Sequence, residues 1–206
     1  MTVTSLMPIV TDLDEVVFDF TGAFAQDMST VLGRPLDRNQ ADSWNFSAWM
    51  GVDDYMPYIH RFLASDRFGC LPVKRCASLL LPAAAAAGHP LYAVTSCSTE
   101  RSVIAARLRN IDRCFGPIFQ DVRFVPLEGS KVPDLIHLAE RHGGPGIWLE
   151  DNPKNARDGA GLGFETYVVR TPTNRLHEAF CDDPKLTWVD DLFGVAERLG
   201  MGHLSL

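Results

Sequence analysis

No run of lysine or arginine occurs anywhere in the sequence, and the net charge is −7 over 206 residues. A surface with that balance does not attract a nucleic-acid backbone or an anionic membrane, so we expect neither a nucleic acid polymer nor a membrane as partner. Long apolar stretches are lacking as well, because the alanine run at 83–87 belongs to a helical stretch too short to span a bilayer. Apolar residues still make up 46% of the chain, which is enough to build a globular core.

Cysteine is present, but in no pattern that supports a disulfide framework or a zinc site. The five cysteines are odd in number and share no CxxC spacing, and the six histidines lack metal-ligand spacing. The N-terminal residues MTVTSLMPIV contain no basic segment and no long apolar segment, so no signal peptide is visible. These observations predict a cytoplasmic protein with reduced thiols, which are Cys70, Cys76, Cys97, Cys114 and Cys181.

Short apolar segments alternate with helical segments along most of the chain. This alternation is typical of a parallel sheet with crossover helices. Most of the apolar segments are continuous, as expected for strands that are covered on both faces. We predict strands at 8–12, 91–95, 121–126, 146–150 and 164–169, and helices at 98–110, 131–142, 153–161 and 187–199.

One interval breaks this alternation, because the first two predicted strands are much further apart than a single crossover needs. The interval contains breaks at Gly33-Arg34-Pro35, Gly51 and Gly69, and most of the aromatic residues. We interpret residues 20–88 as a mostly helical insertion, with a long helix at about 73–87 that returns to the sheet. Residues 1–19 and 89–206 then form the α/β core domain.

Reactive side chains follow the predicted strands at the point where each strand ends. In open α/β sheets, ligands bind beyond the carboxyl ends of the strands, so we expect these side chains to meet at one edge. The set combines two acidic pairs, two hydroxyl groups and an ammonium group. It consists of Asp12 and Asp14 after the first strand, Thr95 and Ser96 at the second, Lys131 after the third, and Glu150 and Asp151 at the fourth.

Each of these groups has a use in phosphoryl transfer. A carboxylate such as Asp12 can attack phosphorus to give an aspartyl-phosphate, which splits one difficult displacement into two easier steps. Asp14 is placed to protonate the leaving alkoxide, and Thr95 and Lys131 are placed to stabilise the equatorial phosphate oxygens. Asp12 and Asp151 would repel each other without a cation, and Mg²⁺ prefers carboxylates, water and phosphate oxygens.

The segment IVTDLDEVVFDF resembles the first motif of the haloacid dehalogenase superfamily, a strand running into DxDx[TV][LV]. VTS at 94–96 is similar to its second motif, Lys131 to its third, and LEDNPKNARDGAGLG at 149–163 to its fourth. The resemblance covers almost the whole chain in the right order, and the insertion falls where this superfamily places its first type of cap. Glu15 occupies a position at which many members carry Gly, Asn or Asp. The pair Asp19-Phe20 resembles the 5'(3')-deoxyribonucleotidase branch.

The resemblance implies a magnesium-dependent phosphatase with Asp12 as nucleophile and Asp14 as general acid and base. Glu150 is an alternative to Asp151 as direct metal ligand, and Glu150 and Asn155 are candidates for holding the ligands in place. The implied ligands of Mg²⁺ are Asp12, the Leu13 carbonyl, Asp14 and Asp151.

We predict a three-layer α/β fold with a parallel sheet in the order 5-4-1-2-3 and a helical cap at 20–88. The predicted reaction is hydrolysis of a small-molecule phosphomonoester by a monomer or homodimer, with nucleoside monophosphates as the first substrate class and other small phosphometabolites as the second. Dehalogenases of the superfamily lack a working second aspartate, so Asp14 favours phosphoryl transfer. Two alternatives remain: a phosphotransferase or mutase with a closed cap, and a non-catalytic phosphate-binding or regulatory module.

Three aromatic residues within the insertion are candidates for substrate binding. Trp44, Phe46 and Trp49 lie in WNFSAW at spacings that do not form one helical stripe. We therefore expect at least one of them to leave the local core, and an aromatic face turned toward the cleft can stack on a nucleobase. The alternative is that all three pack the insertion, which needs bulky residues of its own.

Overall fold

The protein folds around one parallel β-sheet, in a computed structural model that describes residues 6–178 and 183–205. Within those residues the strands are β1 Ile9–Thr11, β2 Leu91–Ser96, β3 Phe119–Val125, β4 Ile147–Glu150, β5 Glu165–Val169 and β6 Leu186–Val189. Their order in the sheet is β3-β2-β1-β4-β5-β6. The first five strands thus follow the predicted order 5-4-1-2-3, and a sixth strand lies beside β5.

The sixth strand corrects the prediction of a closing helix at 187–199. β6 pairs in parallel with β5, and Val189 lies opposite Val169. The segment LTWV contains two β-branched residues and a tryptophan, which favours a strand over a helix. Asp191 then accepts a hydrogen bond from the Phe193 N–H at 2.7 Å, and a single helical turn follows at Phe193–Ala196.

The predicted crossover helices are found close to their expected positions. Those at 73–87, 98–110, 131–142 and 153–161 correspond to observed helices, and among the described residues no helix is long and apolar enough to cross a bilayer. The helices are α1 Phe20–Leu32, α2 Ser47–Met50, α3 Met56–Leu63, α4 Arg75–Ala87, α5 Arg101–Phe115, α6 Val132–His142, α7 Pro153–Gly161, α8 Arg175–Glu178 and α9 Phe193–Ala196. Short 3₁₀ helices lie at Arg38–Gln40, Phe68–Cys70 and Gly202–Ser205.

Alternate side chains of the central strands enter two apolar clusters on opposite faces of the sheet. Val10 of β1 and Trp148 of β4 pack with Leu135 of α6. Ile9 of β1 packs into the other cluster, which contains Leu81 of α4. Because β-strand side chains alternate between faces, this burial on both sides produces the three layers of the fold.

The segment between β1 and α4 packs around an aromatic cluster. The Phe24 ring of α1 lies 5.8 Å from Phe20, 5.5 Å from Phe46, 6.3 Å from Trp49 and 5.3 Å from Phe62, measured between ring centroids. These rings belong to the same apolar cluster as the sheet face that α4 covers. The aromatic residues of this segment therefore anchor it against the α/β core.

Candidate active site

Three carboxylates meet where β1 and β4 end. Asp12 follows β1 directly, and its N–H still donates to the Leu149 carbonyl of β4 at 2.8 Å. Thr11 lies opposite Leu149, so this register brings Asp12 beside Glu150. The carboxylate oxygens of Asp12, Glu150 and Asp151 lie within 4.8 Å of one another, and all three residues are buried.

Lys131 supplies positive charge to this cluster. Its Nζ lies 2.9 Å from Asp12 Oδ2 and 2.8 Å from Glu150 Oε2, and its side chain is only 1% exposed. The lysine immediately precedes α6, which is held on the sheet by its buried Leu135. Burial by itself would lower the pKa of Lys131, but the charges of Asp12 and Glu150 outweigh it and raise the pKa, so the ammonium group stays protonated.

The cluster carries more negative charge than Lys131 neutralises. Burial raises the pKa of Asp12 to about 8; Lys131 opposes this rise, and Glu150 and Asp14 add to it. Burial, followed by the charge of Glu150, also raises the pKa of Asp151. A divalent cation would offset this excess, and a donor set made of carboxylate oxygens suits Mg²⁺. The residues present therefore fit a magnesium site.

Glu150 and Asp151 differ in how far their oxygens are already engaged. Glu150 Oε1 accepts the N–H groups of Asp151 and Asn152 at 3.0 Å each, and Oε2 accepts from Lys131 at 2.8 Å. Among the described residues, no backbone N–H and no cationic side chain donates to the Asp151 carboxylate. Asp151 is thus the less engaged of the two acids, because its carboxyl hydrogen-bonds with Glu150 alone among the described side chains, while Glu150 also holds Lys131 and the following backbone.

The loop that carries Asp151 is held by Asn174, which sequence reasoning missed. Asn174 Nδ2 donates to the carbonyls of Asp151 and Val169 at 2.7 Å each, and Oδ1 accepts the Thr171 N–H at 2.9 Å. The side chain is fully buried and ties the end of β4 to the end of β5. In the sequence, an asparagine in TPTN is typical of an ordinary turn, so only the contacts identify this role.

The backbone after Asp12 turns sharply, and this corrects the expectation of a metal ligand at Leu13. The Leu13 carbonyl accepts the N–H groups of Val17 and Phe18 at 2.9 and 2.8 Å, so both of its lone pairs are used. Within the described residues, no hydrogen bond ends on the carbonyl of Asp14. The Asp14 carbonyl is therefore the backbone oxygen that is open to a cation.

Asp14 forms a buried ion pair with Arg107 of α5. Arg107 Nη2 donates to Asp14 Oδ1, and the arginine is fully buried. Burial raises the pKa of Asp14, and the charge of Arg107 opposes this rise. Sequence reasoning missed Arg107, although a signal was present: the arginine shares one buried helical face with apolar and small residues. The other residues of that face are Val103, Ala106, Asn110 and Ile111.

Glu15 connects the loop after β1 to the segment between β1 and α4. Its φ is 61°, a left-handed conformation that is unusual for a residue with a side chain. The carboxylate accepts the Thr21 N–H at 2.6 Å and pairs with Lys74 at 3.3 Å and with Arg38 at 3.5 Å. Backbone strain of about 1–3 kcal/mol is typical of such a conformation. The contacts of the Glu15 carboxylate offset that strain, which explains how the position tolerates a residue other than glycine.

The two hydroxyls at the end of β2 lie in different surroundings. Thr95 is fully buried, and its Oγ1 has no hydrogen-bond partner among the described residues. Ser96 is the last residue of β2 and lines the cavity described below. Burial, followed by the charge of Asp14, raises the pKa of the neighbouring Cys97 to about 12, which makes it a poor nucleophile. Cys70, Cys76 and Cys114 are likewise free thiols, and Cys181 lies outside the described residues.

A cavity of about 280 Å³ opens over the carboxylate cluster. Asn155 lines it, together with Asp12, Asp14 and Lys131. Trp49 is not among the described residues that line the cavity; it packs on Phe24, and its Nε1 donates to the Asp37 carbonyl at 2.9 Å. The wall contributed by residues 20–88 is mostly apolar and consists of Phe20, Thr21, Trp44, Phe46, Tyr55, Met56, Ile59 and Leu63.

No protein-family model and no curated protein sequence matches the chain. Solved structures do match it over nearly its full length. A haloacid dehalogenase-like family hydrolase from Streptococcus pneumoniae is similar over 95% of this chain and 99% of that chain, with a TM-score of 0.66 and 13% identity.

Two further structures show the same likeness. A HAD family hydrolase from Deinococcus radiodurans R1, solved with bound phosphate and sodium, is similar over 96% of this chain and 97% of that chain, with a TM-score of 0.64 and 17% identity. Protein tyrosine kinase A of Mycobacterium tuberculosis is similar over 95% of this chain and 99% of that chain, with a TM-score of 0.69 and 18% identity. Because the identities are low, the likeness shows a shared fold and not a shared activity.

Proposed function

We propose that this protein, which has the fold of the haloacid dehalogenase superfamily, is a Mg²⁺-dependent phosphatase acting on a small phosphomonoester. One observation carries the proposal: the buried oxygens of Asp12, Glu150 and Asp151 lie within 4.8 Å of one another, beside the ammonium group of Lys131. This arrangement combines a nucleophile, a site for a hard cation and a fixed positive charge. The Deinococcus structure supports phosphate as a ligand of this fold.

The proposed reaction has two steps. Asp12 attacks the phosphorus atom and forms an aspartyl-phosphate as the bond to the leaving oxygen breaks, and Asp14 protonates that oxygen. Asp14 then takes a proton from the water that hydrolyses the aspartyl-phosphate. Lys131 and Ser96 line the cavity and stabilise the phosphoryl oxygens, where transition-state charge spreads, whereas the buried Thr95 is not among the described lining residues. When bound, Mg²⁺ neutralises the negative charge between the carboxylates and the phosphate.

We assign the metal ligands from the hydrogen bonding of each candidate. Asp12, Asp151 and the Asp14 carbonyl are proposed as direct ligands, because their oxygens remain open or face the carboxylate cluster. Glu150 instead holds Lys131 and the backbone after β4. Asn155 lines the cavity and is proposed to orient a ligand or a bound water.

Removal of the metal tests the proposed function. We expect EDTA to abolish phosphate release from 4-nitrophenyl phosphate and Mg²⁺ to restore it, whereas Ca²⁺ restores it poorly because its coordination shell is larger and looser. Asp151→Asn should weaken activation by Mg²⁺ at least about tenfold. The same substitution should leave the metal-free Tm unchanged or raise it, since the Asp151 carboxyl is buried and faces the charge of Glu150. Magnesium titrations of phosphate release and thermal unfolding measure both effects.

Asp42→Asn provides the matched control, because Asp42 is exposed. This variant should retain the activity, the magnesium affinity and the Tm of the wild type. Full activity in excess chelator, or an unchanged magnesium affinity in Asp151→Asn, would contradict the proposed site.

Two other activities are compatible with parts of this geometry. A phosphotransferase or mutase would use the same aspartyl-phosphate but pass it to an acceptor hydroxyl, and one structural neighbour is a protein tyrosine kinase. Phosphorylated product formed in the presence of an acceptor alcohol, at the expense of free phosphate, would favour that reading. A non-catalytic phosphate-binding module would bind phosphate with Mg²⁺ and release none from any ester.

We also propose that residues 20–88 act as a cap over the catalytic edge, with 1–19 and 89–206 as the core domain. Residues of this segment form the apolar wall of the cavity opposite the carboxylates. The ion pairs of Glu15 with Arg38 and Lys74 connect the segment to the loop that carries Asp12 and Asp14. A movement of residues 20–88 would therefore also displace the loop that carries Asp12 and Asp14.

The charges of the cavity wall favour a substrate whose only phosphate is the one that is removed. Among the described lining residues, positive charge comes from Lys131 and Lys154, and Lys131 is already paired with two carboxylates. The acidic lining residues outnumber these two lysines, so a second phosphate on the substrate would be repelled. The acidic residues are Asp12, Asp14, Glu15, Glu128, Glu150 and Asp151. We therefore propose nucleoside monophosphates as the first substrate class and other small monophosphates as the second.

Trp44 is the aromatic residue that we propose to contact a nucleobase. It lines the cavity and lies 5.4 Å from the His177 ring, whereas Trp49 packs within the aromatic cluster. Trp44→Leu should lower kcat/KM for a nucleoside monophosphate at least tenfold more than for 4-nitrophenyl phosphate, since stacking contributes about 1–3 kcal/mol per base. Trp49→Leu should instead lower the Tm and affect both substrates alike.

Kinetics of both variants on both substrates, together with thermal unfolding, measure this difference. Equal losses on the two substrates in Trp44→Leu, with a lowered Tm, would make Trp44 a packing residue and leave the nucleotide proposal without support.

A further inference from the structure

Arg107 is buried in a way that is costly for stability. The residue is fully buried, and its Nη2 donates to Asp14 Oδ1. Within the described part of the chain, its Nε and Nη1 have no hydrogen-bond partner. Buried donors are nearly always paired, and replacing a buried ion pair by apolar groups is often neutral or stabilising. The presence of this arginine is therefore not explained by its contribution to folding.

The position of the guanidinium group is nevertheless tightly defined. Its Cζ lies 4.1 Å from the centroid of the Phe68 ring and 5.2 Å from that of Phe18. Phe18 belongs to the same turn as Asp14, since the two residues form a β-bridge. The helix is also locked beside Phe68, because Asn110 Nδ2 donates to the Leu71 carbonyl at 3.3 Å. Two aromatic rings and a packed helix thus hold the group in one place.

We propose that Arg107 is a positioning residue that fixes the carboxyl group of Asp14 for proton transfer to the leaving oxygen, an inference that rests on the proposed phosphatase function. Arg107 occupies Oδ1, and among the described residues no donor reaches Oδ2. Oδ2 is therefore the oxygen of Asp14 that this geometry leaves available for proton transfer. Asp14 lines the cavity, so a substrate bound there can reach its carboxyl group.

The test compares two substrates of nearly equal size that differ in how much protonation the leaving group needs. Phenolate is the stronger base of the two leaving groups and gains more from protonation, whereas 4-nitrophenolate leaves with little help because its nitro group delocalises the charge. We expect Arg107→Met to lower kcat/KM for phenyl phosphate by about 100-fold or more, the scale of general acid catalysis, and for 4-nitrophenyl phosphate by less than about tenfold. Arg109→Met on the exposed face of the same helix should change neither value.

A role in folding alone would give a different pattern. Equal losses on the two esters, or no loss on either, would overturn the proposal. In an Asp14→Asn background, Arg107→Met should have little further effect on phenyl phosphate, because the two residues act as one unit. Additive losses in this double variant would also overturn it.

Two further outcomes are decided in advance. If Arg107→Met does not fold, Arg107→Lys replaces it in the test, since lysine keeps the charge but lacks the planar guanidinium group. A loss of kcat/KM confined to phenyl phosphate supports the proposal. An equal loss on both esters refutes it. Absence of magnesium-dependent turnover of both esters by the wild type would refute the phosphatase function, and the role of Arg107 with it. A failure that is specific to Arg107 leaves wild-type turnover intact, so the two failures are distinguishable.

Discussion

Asp12→Asn should lower kcat for any phosphomonoester by several orders of magnitude, with little change in KM. Asparagine keeps the size of the side chain but removes the charge that attacks phosphorus. The fold should survive, because the substitution also removes one buried negative charge from the cluster around Lys131. Steady-state kinetics with thermal unfolding measure both effects, and Asp42→Asn again serves as the exposed control.

A direct readout of the nucleophile accompanies these kinetics. Beryllium fluoride with Mg²⁺ should mimic the acyl-phosphate at Asp12, inhibit the wild type and stabilise it against heat. Neither effect should appear in Asp12→Asn. A variant that keeps more than about a tenth of wild-type activity would exclude Asp12 as the nucleophile.

Lys131→Met should cause the largest loss of stability among the proposed variants. Removal of the ammonium group leaves Asp12 and Glu150 buried without their cation, and breaking such a pair costs about 3–5 kcal/mol. For a chain of this size, that corresponds to a fall in Tm of roughly 6–20 °C. Activity should also be lost, because no fixed cation faces the phosphoryl oxygens. Chemical denaturation and thermal unfolding measure the change.

The loss in Lys131→Met should depend on pH. The pKa of Asp12 is raised to about 8 in the folded protein, and Lys131 opposes that rise, so removal of the lysine raises the pKa further. A carboxyl with a raised folded pKa stabilises the fold while it is protonated, and this stability is lost as pH rises through the folded pKa. The variant should therefore be destabilised less at pH 5 than at pH 8.

Two controls separate this effect from a general loss of packing. Lys185→Met changes an exposed lysine and should alter stability by less than about 0.5 kcal/mol. Adding Glu150→Gln to Lys131→Met should restore part of the stability, because it removes one of the uncompensated charges. An unchanged Tm in Lys131→Met at pH 8 would mean that the carboxylate cluster does not depend on this lysine.

The clustering of these side chains at one edge of the sheet was predictable because they follow buried strands. Asp12 and Glu150 terminate apolar segments that are covered on both faces, and such segments give a strong signal in the sequence. The same signal fails for β6, which has only four residues and lies at the edge of the sheet. Short edge strands expose alternate side chains, so their composition differs little from that of a loop or a helical turn.

Contacts between distant segments were not predictable in the same way. The roles of Arg107 and Asn174 depend on which residues the folded chain brings beside them. The Leu13 carbonyl was expected to face a metal, but a local turn uses both of its lone pairs. Spacing alone also did not decide that Trp44 lines the cavity while Trp49 packs in the cluster, since both lie in one short segment.

The central strand β1 is separated from both of its partner strands by a long stretch of chain. It pairs with β2 and β4, which lie far along the chain and beyond the whole insertion. Loop closure of this kind has to precede any gain from pairing, which slows folding. During synthesis, Ile9 and Val10 can pair with β2 only after Leu91 and Tyr92 have been added, and with β4 only after Ile147 and Trp148 have been added. The cluster of Asp12, Glu150 and Lys131 therefore cannot form before β4 has been synthesised.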